Sequence, residues 1–314
     1  MSGITSTLSI AKTAIAAQQY GLNVTGHNIA NVNNPDYSIQ DAQLTANTPA
    51  SYSGYIFGTG VDMSQVQQSV DQLLENRLTD EISTQAAMEE AESYMLVLAG
   101  MFDENSSSSL SSLITDYWNA WHDLSNNPLG TSERVQIYDK GELLTQQFNS
   151  VYSDLDQVVQ DLTQEIGTSL NQINSLAAQI AELNGQILGL ESSQTANDLR
   201  DQRNSLIDEL GQLINVDVIT QGDGSYVINA ANGATLVNGV DTNSLALEGG
   251  RVVWQGSGGS SRDITDDISG GKLSGWLDIR DEVLPTYKAQ VNELASEMIW
   301  AINYQHSQGT GLSY

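Results

Sequence analysis

FNSVYSDLDQVVQDLTQEIGTSLNQINSLAAQIAELNGQILGL, residues 148–190, decides how this chain folds. Steps of four and three place Phe148, Tyr152, Leu155, Val159, Leu162, Ile166, Ser169, Ile173, Leu176, Ile180, Leu183, Ile187 and Leu190 on one line, apolar except at Ser169. Asp, Gln, Asn, Ser and Thr fill most of the positions between. This is a heptad pattern. A strand would scatter the same residues over both faces, because its side chains alternate. At 1.5 Å per residue the stretch makes a helix roughly 60 Å long, far beyond the ~11–12-residue mean. A helix of an intramolecular bundle satisfies the pattern and so does a rod built for assembly; periodicity favours the bundle.

Upstream, Thr131 or Ser132 can cap the helix with Glu133 in its first turn, so it is expected over about 131–190. Asn126-Asn127-Pro128-Leu129-Gly130 is a loop. Before it, Leu110, Leu113, Ile114, Tyr117, Trp118, Trp121 and Leu124 form a short aromatic helix with core spacing. Asn105–Ser109 is a break. A further helix is expected from about Ser64, on Val66, Val70, Leu74, Leu78 and Ile82, through to Phe102. Downstream, Glu191–Asn197 breaks the long helix, and Asp198–Ile214 returns as its antiparallel neighbour on Leu199, Leu206, Leu210 and Leu213.

The composition then turns to β. Val216–Thr220, Tyr226–Ala230, Ala234–Val237, Leu245–Leu247 and Val252–Gln255 are strand-like, with Gly256–Arg262 a flexible tip. Asn232-Gly233 and Asn238-Gly239 signal type I′ hairpins. From about Lys272 a helical stripe on Leu277, Leu284, Tyr287, Val291, Leu294, Met298 and Ala301 runs to Asn303, and Ser307–Leu312 is a loop. The expected fold is therefore mainly α with a small β insertion: an elongated long-helix bundle or coiled-coil-like shaft carrying a β-hairpin-rich side domain. The segments are 1–62 at the N-terminus, 63–215 as the helical shaft, 216–269 as the β insertion, and 270–314 as the returning helix and loop.

The first 62 residues stand apart, with Lys12, Asp36, Asp41 and Asp62 as their only charged residues. Ile4, Leu8, Ala11, Ile15, Gln18, Leu22, Thr25, Ile29 and Val32 again step four and three, on a helix that Asn34-Pro35 should stop. The other side of that helix is Ser, Thr, Gln, Asn and Gly. An apolar stripe on a nearly uncharged helix suits a segment that is buried, and ordered, within something larger. Docking on its own domain is the lesser reading. Asn34-Pro35-Asp36-Tyr37 is a turn with Pro preset at its second position, and Ser38–Gly60 reads as extended segments and loops.

Eleven Lys+Arg against 39 Asp+Glu give a net charge of −28. That disfavours nucleic acid, which needs a basic face, and an anionic membrane surface. No apolar run reaches the ~20 residues of a spanning helix. Cysteine is absent, so disulfides and Cys-ligated metals are excluded. Met1–Ala17 lacks the basic start and apolar run of a cleaved signal peptide, so export, if any, is expected without cleavage.

Catalytic motifs are missing. His27, His122 and His306 have no ligand spacing. Gly271-Lys272 lacks the upstream Gly and following Ser/Thr of a phosphate loop, and no nucleophile elbow occurs. Asp263, Asp266 and Asp267 do not meet the EF-hand pattern and read as a solvated loop. The charges of Asp198, Arg200, Asp201 and Arg203 read as surface pairing on a helix. No enzyme, cofactor or metal is expected.

Two stretches carry a resemblance. Asn28-Ile-Ala-Asn31-Val-Asn33-Asn34-Pro35-Asp36-Tyr37-Ser38 resembles the N-terminal signature of the flagellar axial proteins, with Asn28, Asn31, Asn33, Pro35 and Tyr37 as signature positions. Ile173–Ile187 followed by Asn197-Asp-Leu-Arg-Asp201-Gln-Arg203-Asn-Ser-Leu-Ile-Asp-Glu-Leu210 is similar to the hook-associated protein 1 family, as are Gly270–Gly275 and Asn303–Gly309. Asn34 and Asp36 stand where the family usually has Thr and Gly, so a type I turn is expected here. Family members run on to a C-terminal helix that packs on the N-terminal one; this chain resembles a truncated form.

The resemblance implies a structural subunit of the bacterial flagellum, an adaptor between hook and filament that acts by burying apolar helix seams and not by catalysis. It implies export by the flagellar type III apparatus with a cytosolic chaperone, an extracellular location, and a self-assembled ring at the hook tip. Its other partners would be the hook protein and the second hook-associated junction protein. The assembly interface would be the N-terminal stripe, with Ile4, Leu8, Ile15, Leu22 and Ile29. Alternatives are another axial protein (hook subunit or second junction protein) or, less favoured, an extracellular stalked adhesin or enzyme.

Overall fold

The computed structural model describes residues 2–52, 54–102, 109–191 and 195–309. In chain order these form α1 (Ser2–Ala30), β1 (Gln40–Ala46), β2 (Ala50–Tyr52), β3 (Tyr55–Phe57), β4 (Val61–Gln68), α2 (Gln72–Met101), α3 (Leu110–Asn126), α4 (Thr131–Glu191) and α5 (Asn197–Leu213). Then come β5 (Val216–Thr220), β6 (Tyr226–Ala230), β7 (Ala234–Asn238), β8 (Asp241–Thr242), β9 (Ser244–Glu248), β10 (Arg251–Gln255), β11 (Ser261–Asp263), α6 (Gly271–Asp278) and α7 (Leu284–Gln308). The chain is mainly helical with small antiparallel sheets. The expected break at 105–109 falls outside the described residues save for Ser109, as do positions 192–194 of the 191–197 break and 310–312 of the final loop.

The long helix spans 61 residues, Thr131–Glu191, as its heptads required. Its buried line is Val151, Leu155, Val158, Leu162, Ile166, Ser169, Ile173, Leu176, Ile180, Asn184 and Ile187. Val151 and Val158 therefore replace the expected Tyr152 and Val159, and Asn184 replaces Leu183, while Leu190 is exposed. A strict four-three count drifts by about 20° per heptad on a straight helix. The buried line instead averages 3.6 residues per step, the α-helical pitch.

The expected helix from Ser64 is corrected. Residues 61–68 form β4, paired antiparallel with β1 from Gln40↔Gln68 to Ala46↔Val61. Asp71 starts α2: its Oδ1 accepts the N–H groups of Leu73 and Leu74 at 3.0 and 3.3 Å. Val66 and Val70 share spacing with the helical stripe by coincidence, since an N-cap at Asp71 prevents the helix from extending back.

The chain folds into two compact units. One comprises Met1–Thr84 and Asn171–Ser269, the other Gln85–Leu170 and Gly270–Tyr314. In the first, β5-β6-β7-β8 and β11-β10-β9 are antiparallel sheets around Ile228, Leu236, Val237, Leu245, Val252 and Ile264. Burying each such side chain contributes about 1.5–3 kcal/mol. Ala230 pairs with Ala234, so Ala231 (φ 30°), Asn232 (φ 55°) and Gly233 (φ 81°) make a three-residue loop in place of the expected two-residue type I′ turn, with Ala234 N–H donating to Ala231 O. The second hairpin differs: Asn238 pairs with Asp241, leaving Gly239 (φ 61°) and Val240 as the turn. Positive φ at the first of these positions only is type II′. The tip expected to be flexible turns through Gly256–Ser260 and enters β11.

In the second unit α6 lies against α2. A Cβ on Gly275 would sit 2.5 Å from the Ala87 carbonyl oxygen, so only glycine permits this approach. Glu90 fixes it, accepting from Lys272 Nζ (3.0 Å) and Trp276 Nε1 (3.1 Å). A π-turn over Ile279–Val283 precedes Pro285, whose ring cannot follow a regular turn. Tyr117 of α3 is buried against Gly141, and Lys288 of α7 pairs with Asp156 of α4.

Candidate assembly interface

Helix α1 is packed with its small side inward. Ala17 is buried, Ile10, Thr13, Gly21, Val24 and Asn28 are half-buried, and the helix lies on β1 and β4. Gly60 (φ 108°) makes the approach possible: a Cβ there would sit 2.3 Å from Thr13 Oγ1. The large apolar residues point elsewhere. Ile4, Leu8, Ile15, Leu22 and Ile29 are 62–81 % exposed, and Val32 is exposed too. Docking on its own domain, the lesser expectation, thus coexists with an uncovered stripe. A run of this kind exposed to water is unfavourable.

The signature residues gather where α1 ends. Asn28 Nδ2 donates to Gln40 O (2.9 Å), while its Oδ1 accepts Gln40 N–H (3.1 Å) and the Tyr37 hydroxyl (2.7 Å). The side-chain amide thereby imitates a neighbouring strand and starts β1. Tyr37 has spent its one proton on Asn28, so its contact with His27 Nδ1 (3.0 Å) makes that nitrogen the donor. The two rings also meet edge to face. Asn31 Nδ2 donates to His27 O, and the Asn34 carboxamide oxygen accepts Asp36 N–H. Tyr37 N–H donates to Asn34 O and Asp36 keeps a negative φ, as the expected type I turn requires. Asn33 and Pro35 are exposed and make no part of this clamp.

Helix α5 holds the other side, which corrects the expected surface pairing of its charges. Asp201 is buried and accepts Ser38 N–H (3.2 Å) and Gln68 Nε2 (2.7 Å); Asp198 accepts Gln40 Nε2 (3.0 Å). Asn197 Nδ2 and Thr195 Oγ1 both donate to Val66 O. Arg203, 1 % exposed, donates to Asn184 Oδ1 (2.7 Å) and Gly224 O (3.1 Å), with its guanidinium 3.4 Å from the Tyr226 ring centre. Asn184 in turn donates to Tyr226 O and Gly239 O, tying α4 to the β sheet. Of these charges only Arg200 fits a simple ion pair, with Glu191 (2.6 Å).

Burial pushes the Asp201 carboxyl above its ordinary range, and burial followed by the Asp198 and Asp201 charges raises the Tyr37 hydroxyl. Burial also raises Asp208, which accepts from Thr79, and Glu75, which faces Asp208. Elsewhere Asp263 is lowered to about 2 by the Thr265 N–H and hydroxyl and by Arg251, which also reaches Asp266. Among the described residues no group of three His, Asp or Glu is placed to hold a metal. None of their helices is long and apolar enough to cross a membrane.

Long helices with heptad stripes, an N-terminal helix with its large apolar residues exposed and an Asn/Tyr clamp at its end make this a long-helix protein with a small β region. The chain belongs to the FlgK family: the model of the flagellar hook-associated protein FlgK helical domain matches residues 96–314. It is 30 % identical over 318 residues to flagellar hook-associated protein 1 of Salmonella typhimurium, covering 98 % of this chain and 57 % of that protein. The same-named protein of Bacillus subtilis is 29 % identical over 76 % of this chain and 49 % of its own length. The chain thus spans about half the length of these relatives. The flagellar hook junction protein FlgK from Burkholderia pseudomallei matches with a TM-score of 0.62 at 27 % identity, covering 70 % of this chain and 41 % of that one.

Proposed function

We propose that this protein is an adaptor at the flagellar hook–filament junction, exported through the type III apparatus and assembled at the hook tip with the hook protein and the second junction protein. The observation that carries the reading is the α1 stripe: Ile4, Leu8, Ile15, Leu22 and Ile29 are large, apolar and exposed on a helix whose small side is already occupied. Family membership supplies the setting. Burial of the stripe between subunits would drive assembly at about 25 cal/mol per Å² of apolar surface.

The test is a pair of single substitutions, Leu8→Glu and Leu22→Glu. Both side chains are exposed, so far-UV circular dichroism and the urea midpoint should stay at the wild-type values. Assembly onto purified hooks should be lost, because each glutamate would be buried at the contact without a partner. Normal capping of hooks by either variant would overturn the reading.

A further inference from the structure

Two arginines are buried. Arg280 is paired with Asp281, whereas Arg203 forms no ion pair among the described residues. Both hydrogen bonds of Arg203 leave from Nη1, to Asn184 Oδ1 and Gly224 O. Nε is buried without a partner, so the Nε–Nη2 edge of the fork is unused among the described residues. The Tyr226 ring lies over the guanidinium, its centre 3.4 Å away, and attracts the charge without neutralising it. Burial draws the proton affinity of Arg203 below its ordinary value, and the Arg200 charge acts in the same sense. A buried cation that keeps an unbonded edge is costly, and an anion on that edge removes the cost.

Space for an anion adjoins it. Arg203 lines a cavity of about 250 Å³ among α5, the end of β4, the start of α2 and the β5–β6 hairpin. No Asp or Glu lines this cavity, in a chain of net charge −28, while Arg200 and Arg203 bring two of the eleven Lys and Arg residues to its wall. Arg200 donates from Nε to Glu191 (2.6 Å), so two arginines against one glutamate leave a charge of +1. The Asn204 carboxamide, also on the wall, makes no hydrogen bond among the described residues, and Val70 adds alkyl surface. A charge of +1 is matched by a monoanion, and a dianion would leave a negative charge buried in its place. The paired N–H groups of an arginine edge fit the two oxygens of a carboxylate. The volume suits a short acid and is too small for a nucleotide.

We propose that this cavity binds a small carboxylate monoanion, of acetate size or a few carbons longer. The Nε–Nη2 edge of Arg203 holds its two oxygens, Arg200 and Asn204 donate to them from the side, and Val70 meets the alkyl end. Such a ligand joins α5 to β4 and to the β5–β6 hairpin, and the site is independent of the α1 stripe and of assembly.

Acetate is the probe. Isothermal titration at pH 7, with chloride as the matched-ionic-strength control, should give one site per chain and a Kd of about 1 mM. Exchanging about 100 mM chloride for acetate should then raise the folding equilibrium constant about a hundredfold, read from the urea midpoint. Two variants locate the site. Asn204→Leu replaces a half-buried, unbonded side chain, so it should keep the wild-type midpoint in chloride. It removes a donor and fills the cavity, so acetate should bind at least about tenfold more weakly. Arg203→Lys keeps the charge without the fork and should weaken binding by at least as much; if it does not fold, Asn204→Leu decides alone. Failure of the wild-type protein to bind acetate at about 100 mM, or a Kd that Asn204→Leu leaves unchanged, overturns the proposal. Tighter binding of inorganic phosphate than of acetate at the same site also overturns it, since the anion would not be a carboxylate.

Discussion

A single carboxamide sets the junction between the N-terminal helix and the rest of its unit. Asn28 gives Gln40 both a donor and an acceptor, and its oxygen also receives the Tyr37 hydroxyl. The Gln40 backbone it satisfies is buried, so removing the amide leaves groups that water cannot easily reach. Asn28→Ala should therefore cost about 2–3 kcal/mol of stability in urea unfolding, and Tyr37→Phe about 1 kcal/mol. Because both changes act on the same oxygen, the double variant should cost less than their sum. A loss below about 0.5 kcal/mol for Asn28→Ala, the range of an ordinary surface change, would show that the clamp does not hold the junction. Nothing in the local sequence reveals it: Asn28 and Gln40 are twelve apart, and Asp201 meets Ser38 across 163 residues. Seen alone, Asp198, Arg200, Asp201 and Arg203 fit a solvated helix face, and only the fold buries Asp201 and Arg203.

At the scale of elements, legibility followed periodicity. Helices α3 and α4 and strands β5, β6 and β7 each carry their own period and caps, and they stand where the residues place them. Residues 64–68 read as helix because Val66 and Val70 stand at i and i+4, while the pairing that makes β4 lies in β1 about twenty residues earlier. The same limit hid β8 and β11, which are two and three residues long and owe their existence to their neighbours. Within α4 the interruption at Ser169 proves to be buried, with an Oγ that finds no hydrogen-bond partner among the described residues. A buried unpaired hydroxyl is a cost without return, and alanine is also the better helix former. Ser169→Ala should accordingly stabilise the chain by about 0.5–1.5 kcal/mol in urea or thermal unfolding. A loss of stability instead would mean that the hydroxyl has a partner in solution.

Taken whole, the molecule holds too many carboxylates for its cations, and pH is where this should tell. Asp201, Asp208 and Glu75 lie in one unit with raised affinities for protons, burial being the first cause for each and neighbouring carboxylates a further one. In the unfolded chain these groups return to the ordinary carboxylate range, about 4. Just above that range the folded state therefore binds more protons than the unfolded one, and stability falls as pH rises through it. Lowering the pH from about 7 to about 5 should raise the melting temperature. The lowered groups act in the opposite sense: Asp263, at about 2, contributes stability above the ordinary range and loses it as pH falls toward 2. The profile should thus pass through a maximum. Asp208→Asn isolates the buried part, since the amide oxygen can still accept from Thr79 while the charge is gone. This variant should be more stable than wild type at neutral pH, and its rise toward acid should be shallower. Salt near 0.5 M would screen exposed charges at a Debye length of about 4–5 Å but leave the buried difference in place. If Asp208→Asn kept the full wild-type slope in that salt, Asp208 would not carry the pH response; if the slope vanished from wild type itself in that salt, the response would belong to the exposed charges.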